Sequence, residues 1–152
     1  MRFSTPILPV ALVASILFFC PTTAQAQIIY LVEGTGAAFT ASGEAGDFDG
    51  FHSYIQPVPP IPQSYPYNAN CTAASAYLFE AYARGTIAQY SSDFANQTQL
   101  AYQMAYYGYY QLYIAKTAGF IFNPPGAISF DQTYNDAYKA YSFLYLAFSV
   151  LQ

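Results

Sequence analysis

The chain has 152 residues, of which 55% are hydrophobic, 20% aromatic and only 8% charged, with 17 Tyr, 13 Phe, no Trp and a net charge of -4. That length holds one domain, and such hydrophobicity excludes an intrinsically disordered chain. Four basic residues against eight acidic ones exclude a phosphate-binding nucleic-acid surface.

At the N-terminus, Arg2 is followed by an apolar run over residues 7–19 and by Ala24-Gln25-Ala26, which fits the small-x-small cleavage rule. Residues 1–26 therefore read as a secretory signal peptide, and the expected location is secreted, periplasmic or at the cell surface. The apolar run is about 13 residues, short of the roughly 20 that cross a bilayer, and Pro6 and Pro9 interrupt its start. Phe18 and Phe19 occupy the small-residue positions that acylation of Cys20 would need. Cleavage leaves Cys71 as the one remaining cysteine, which cannot make an internal disulfide and is expected as a small buried hydrophobe near a helix start.

Residues 27–69 read as an irregular Gly- and Pro-rich arm. Ile28, Ile29, Tyr30, Leu31 and Val32 have strand character, but Gly34, Gly36, Gly43, Gly46 and Gly50 favour loops. One short strand or no regular structure is expected there. Pro57, Pro59, Pro60, Pro62 and Pro66 remove amide donors and favour polyproline II.

Residues 70–152 read as a helical domain. The first helix, residues 72–91, aligns Phe79, Ala83, Ile87, Tyr90 and Phe94 on one face, with Glu80 and Arg84 as an i,i+4 pair on the other. The second, residues 97–118, stops at Gly119 before Asn123-Pro124-Pro125-Gly126. The third opens on Ser129-Phe130-Asp131-Gln132, a capping-box pattern, and runs to about Val150. Asn70 and Asn96 also match glycosylation triplets, but read as N-caps of the first two helices. The expected fold is mainly α: a three-helix antiparallel bundle, or a helical hairpin plus one helix, with the irregular arm at its N-terminus.

Two tyrosine ladders stand out. Tyr102, Tyr106, Tyr109 and Tyr113 recur as Tyr134, Tyr138, Tyr141 and Tyr145 at a constant offset, and each set lies within about 60° of helix arc. Ala105 with Ala137 and Leu112 with Leu144 keep the same offset, as in a weak internal repeat. The far faces, with Leu100, Ala101, Met104, Ala105, Gly108, Leu112 and Ala115 in one helix and Ala140, Phe143, Leu144, Leu146, Ala147 and Val150 in the other, are also apolar. The ladders are therefore either core, covered by the arm, or assembly surface, where Tyr is enriched.

Catalytic signals are absent from the sequence: there is no Gly-x-Ser-x-Gly, no phosphate loop, and no spacing that selects a carboxylate pair. His52 beside Asp47 and Asp49 lacks the rest of a calcium-loop pattern, so no metal or cofactor is expected. The expected function is that of a secreted, non-catalytic structural or interaction protein that self-assembles, or docks to an envelope or surface component, through its tyrosine-rich helix faces. The ladder tyrosines are its interface, with no nucleic-acid partner and no membrane span after cleavage. The alternative is an extracytoplasmic binding protein with a Tyr-lined groove for a saccharide or apolar small molecule. A polyproline ligand presented by residues 57–66 is a further reading.

Overall fold

The computed structural model describes residues 22–54, 64–117 and 129–151, with side chains placed for residues 22–48, 69–117 and 129–151. Among these residues there are four helices and no strand: α1 (Thr23–Tyr54), α2 (Ser64–Tyr90), α3 (Phe94–Thr117) and α4 (Phe130–Ser149). The mainly α bundle expected from the sequence is present, with one helix more than the sequence reading provides.

The irregular arm is the main correction. Most of residues 27–69 is helix, and the expected strand at residues 28–32 lies inside α1. A reciprocal cap starts that helix: the Thr22 amide donates to Gln25 Oε1 at 3.0 Å and the Gln25 amide to Thr22 Oγ1 at 3.3 Å. Packing then overrides β-propensity and the cost of glycine, because one stripe of α1 is buried from Leu31 to Phe48 while Ile28, Ile29 and Val32 face outward. The expected cleavage point after Ala26 falls in the first turn of α1, and the rest of the signal-peptide reading lies largely outside the described residues. Pro57, Pro59, Pro60 and Pro62 lie outside them too, as do Gly119 and the stop at residues 123–126. Pro66 sits in the first turn of α2, where a missing N–H breaks no intrahelical bond.

The caps and faces are corrected in detail. Asn70 lies inside α2, not at its N-cap, and α3 begins before Asn96, whose side-chain amide donates to Asp93 Oδ2 at 2.9 Å. Ser129 does cap α4, its hydroxyl accepting from the Gln132 amide at 3.2 Å. Of the residues aligned on one face of the first helix, Phe79, Ile87 and Tyr90 are exposed, Tyr90 at 86%, while Ala83 and Phe94 are partly buried. The buried stripe of α2 is Cys71, Ala74, Leu78, Ala81, Gly85 and Ala88.

All four helices bury residues at alternating steps of three and four, the period of a left-handed coiled coil. In α1 the stripe is Leu31, Gly34, Ala38, Ala41, Ala45 and Phe48; in α3 it is Thr98, Ala101, Ala105, Gly108, Leu112 and Ala115; in α4 it is Phe130, Thr133, Ala137, Ala140, Leu144 and Ala147. Each helix runs antiparallel to its two neighbours. Gln27 at the start of α1 donates to the Ala147 carbonyl near the end of α4, Ser42 meets Ser75, Arg84 reaches Gln97, and Lys116 meets Asp131. The result is an up-down-up-down four-helix bundle in the order α1, α2, α3, α4 around its axis.

Its core is mostly alanine, which buries little area per side chain, so the helices must approach closely to exclude water. Glycine permits that where a leucine arrives from the opposite helix. A Cβ on Gly34 would come within 2.7 Å of Leu144 Cγ, and one on Gly108 within 2.6 Å of Leu78 Cγ. The bundle end is closed by Phe48 and Phe130, edge to face at 5.5 Å. Cys71 is a buried thiol in the same core, in keeping with the small-hydrophobe reading.

Candidate functional site: a tyrosine lattice between α3 and α4

With the buried stripes set as heptad positions a and d, each ladder divides in two. Tyr102, Tyr109, Tyr134 and Tyr141 take e positions beside the core and are half-buried; Tyr106, Tyr113, Tyr138 and Tyr145 take b positions one step outward and are exposed. The choice between core and surface therefore falls differently at alternate rungs. The inner four line the α3/α4 seam, and the outer four form rows along its rim.

The inner rings interlock across the seam. Tyr102 lies 5.8 Å from Tyr141 and stacks on Phe148 at 5.7 Å with 7° between planes. Tyr109 lies 5.1 Å from Tyr134, and nearly parallel to Tyr141 at 5.9 Å. These separations are those of favourable aromatic pairs, each contributing about 0.5–1.5 kcal/mol beyond area burial. At one end the seam is closed by charge: Lys116 Nζ pairs with Asp131 Oδ1 at 2.9 Å and sits 4.5 Å from the centroid of the Tyr134 ring.

The hydroxyls of Tyr109 and Tyr134 are 2.8 Å apart and share a hydrogen bond. That bond, then desolvation, pushes the Tyr109 phenol up to about 12. Burial, with nearby phenols including Tyr102 and Tyr145, also raises Tyr141 above its ordinary range. The Tyr109 and Tyr141 phenols are thus held neutral, as suits groups packed among other rings.

The outer rows continue into tyrosines that the sequence reading did not single out. Tyr106 contacts Tyr107 at 5.8 Å and Tyr110 at 6.2 Å, Tyr110 contacts Tyr113 at 6.3 Å, and Tyr107 contacts Tyr77 of α2 at 5.6 Å. The run Tyr106-Tyr107-Gly108-Tyr109-Tyr110 was the available signal: Gly108 points to the core, so the residues at 106, 107 and 110 must fan outward. Lys116 is the one charged residue of α3. The aromatic face is consequently almost free of charge.

The other features are separate from this face. A cavity of about 400 Å³ lies in the α1/α4 seam, lined by Val32, Glu33, Gly36, Ala37, Thr40, Asp136, Lys139 and Phe143, none of them a ladder tyrosine. Near it Glu44 is buried, with Oε2 lacking a hydrogen-bond partner, as does Thr133 Oγ1. Burial, then the neighbouring Asp136, holds the Glu44 carboxyl above its ordinary range. Among the described residues no group of three or more His, Cys, Asp or Glu side chains could hold a metal ion. The side chains of Asp49 and His52 lie outside those placed. No helix among the described residues is long and apolar enough to cross a membrane. No family model, curated protein or solved structure matches the chain.

Proposed function

We propose that the chain is a secreted, non-catalytic structural protein that self-associates, or docks to a surface component, through the outer tyrosine rows of α3 and α4. The supporting observation is the continuous aromatic face built from Tyr106, Tyr113, Tyr138 and Tyr145 with Tyr77, Tyr107 and Tyr110. Each of the seven is exposed, from 37% for Tyr77 to 50% for Tyr138. At roughly 200 Å² of accessible surface per tyrosine these fractions amount to about 600 Å², most of the approximately 800 Å² that one partner contributes to a standard interface. Large contiguous apolar faces on soluble domains mark contact surfaces, and tyrosine suits them because its ring packs while its hydroxyl bonds across the contact.

The test is size exclusion with light scattering over a concentration series on the chain from Gln27, for wild type and for a Tyr106→Ser, Tyr138→Ser double variant. Wild type is expected to form oligomers or filaments, and the variant to remain monomeric with unchanged helical circular dichroism. A wild type that stays monomeric at high concentration would overturn self-association and leave docking to a different surface as the remaining form of the proposal.

A further inference from the structure

The inner pair Tyr109 and Tyr134 has a geometry that packing alone does not require. Their oxygens are 2.8 Å apart and their ring centroids 5.1 Å apart, so the carbons ortho to the two hydroxyls are brought together across the α3/α4 seam. We propose that this pair is a built cross-linking site: under one-electron oxidation by a haem peroxidase with hydrogen peroxide, the two phenols couple into a dityrosine that ties α3 to α4.

The step balances. Each ring gives up one electron and one proton to become a neutral phenoxyl radical, and the two radicals form a carbon–carbon bond between their ortho carbons. The hydrogen on each joined carbon then moves to its oxygen, restoring two phenols. The two electrons and two protons go to one peroxide, which leaves as two waters.

The lattice also supplies a route for oxidation from the surface to this half-buried pair. The exposed Tyr138 ring lies 5.5 Å from Tyr109, and exposed Tyr106 lies 5.6 Å from Tyr141, which is itself 5.9 Å from Tyr109. On the chain from Gln27 traps other than tyrosine are few, since it contains no Trp and its one cysteine, Cys71, is fully buried. Oxidation begun on an outer ring is therefore passed inward through rings in contact. The site acts within one molecule and is independent of whether the outer rows assemble.

The experiment treats dilute folded protein with a haem peroxidase and hydrogen peroxide, isolates the monomer under denaturing conditions, and maps it after cleavage at Arg84, Lys116 and Lys139. The expected product is a monomer lighter by two hydrogens, with dityrosine fluorescence and with peptide 85–116 joined to peptide 117–139 through Tyr109 and Tyr134. A Tyr109→Phe variant, with the ring kept, is expected to lose that joined peptide while the outer tyrosines still react. A monomer in which these peptides are not joined, or are joined through other tyrosines, overturns the proposal, as does an unchanged map in Tyr109→Phe. If that variant does not fold, the wild-type map decides by itself. Cross-linked dimers would bear on self-association alone and not on this site.

Discussion

The bundle has two seams on opposite sides, α1/α2 and α3/α4, where the same heptad position faces its counterpart across the helices, and the two are filled in contrasting ways. At e positions α1/α2 pairs Ser42 with Ser75 and also carries Thr35 and Tyr82, whose ring meets Phe39 of α1 at 4.9 Å, while α3/α4 carries Tyr102, Tyr109, Tyr134 and Tyr141. In the first seam Ser42 Oγ donates to the Ser75 carbonyl at 3.0 Å and Ser75 Oγ to the Ser42 carbonyl at 2.9 Å. Side chains thus reach the opposite backbone directly, and a Cβ on Gly85 would collide with Thr35. In the second seam rings meet rings, and phenols replace backbone carbonyls as hydrogen-bond partners. Where small e residues meet, the contact is narrow and satisfies itself; large ones continue onto the rim, as exposed Phe39 and Phe79 around Tyr82 on one side and as the longer tyrosine rows on the other. One helical repeat can therefore build both a close polar contact and an extended aromatic face.

The largest expected effect tests the aromatic seam. Tyr141 touches Tyr102, Tyr106, Tyr109, Tyr138 and Tyr145, so Tyr141→Ala should destabilise the monomer by about 2–3 kcal/mol, whereas Tyr145→Ser on the rim should cost under about 1 kcal/mol. Urea unfolding of the two variants checks the difference, and equal losses would mean that inner and outer rungs are not distinct. In the narrow seam, Gly85→Ala forces Thr35 or the helix to shift and should cost about 1–3 kcal/mol in the same measurement.

The reciprocal serines are expected to contribute less, about 1 kcal/mol for each of Ser42→Ala and Ser75→Ala. Each hydroxyl bonds a backbone carbonyl rather than the other side chain, so the two losses should add, and a double-mutant cycle measures this. A smaller, pH-dependent effect arises away from both seams, at Glu44 with Asp136, Asp47 and Lys139 as its charged neighbours. Its raised folded-state value means the native protein keeps a proton that the unfolded chain releases. That contribution is full below the unfolded carboxyl range and declines as pH rises through the folded value. Glu44→Gln should therefore match wild type near pH 4 and melt higher near pH 7; a difference in melting temperature that does not change with pH would show that Glu44 titrates normally.

Much of this arrangement could be read from spacing. The Ser129 cap, the Glu80–Arg84 pair at 2.8 Å, and the spans of α3 and α4 lie close to their expected places, while α2 ends where expected but begins earlier, at Ser64. The tyrosine stripes were visible as stripes, and Ala101, Ala105, Gly108 and Ala115 already marked the opposite face of α3. The hidden part was α1, where Leu31, Gly34, Ala38, Ala41, Ala45 and Phe48 repeat the same steps of three and four beneath a surface of Gly, Thr and Ser that suggests a loop. Small residues give a weak hydrophobic signal, so a core made of them is legible from its period and not from its hydropathy.

The sequence by itself determined a helical, tyrosine-striped chain with little charge, because helical period and composition are local properties. Only the tertiary structure decided which edge of each stripe lies inward. A ladder with steps of four, three and four alternates between two heptad positions, and their burial depends on where neighbouring helices stand. The close approach of Gly34 to Leu144 and of Gly108 to Leu78 fixes that register. It turns Tyr109 and Tyr134 toward each other and leaves Tyr106 and Tyr138 facing water.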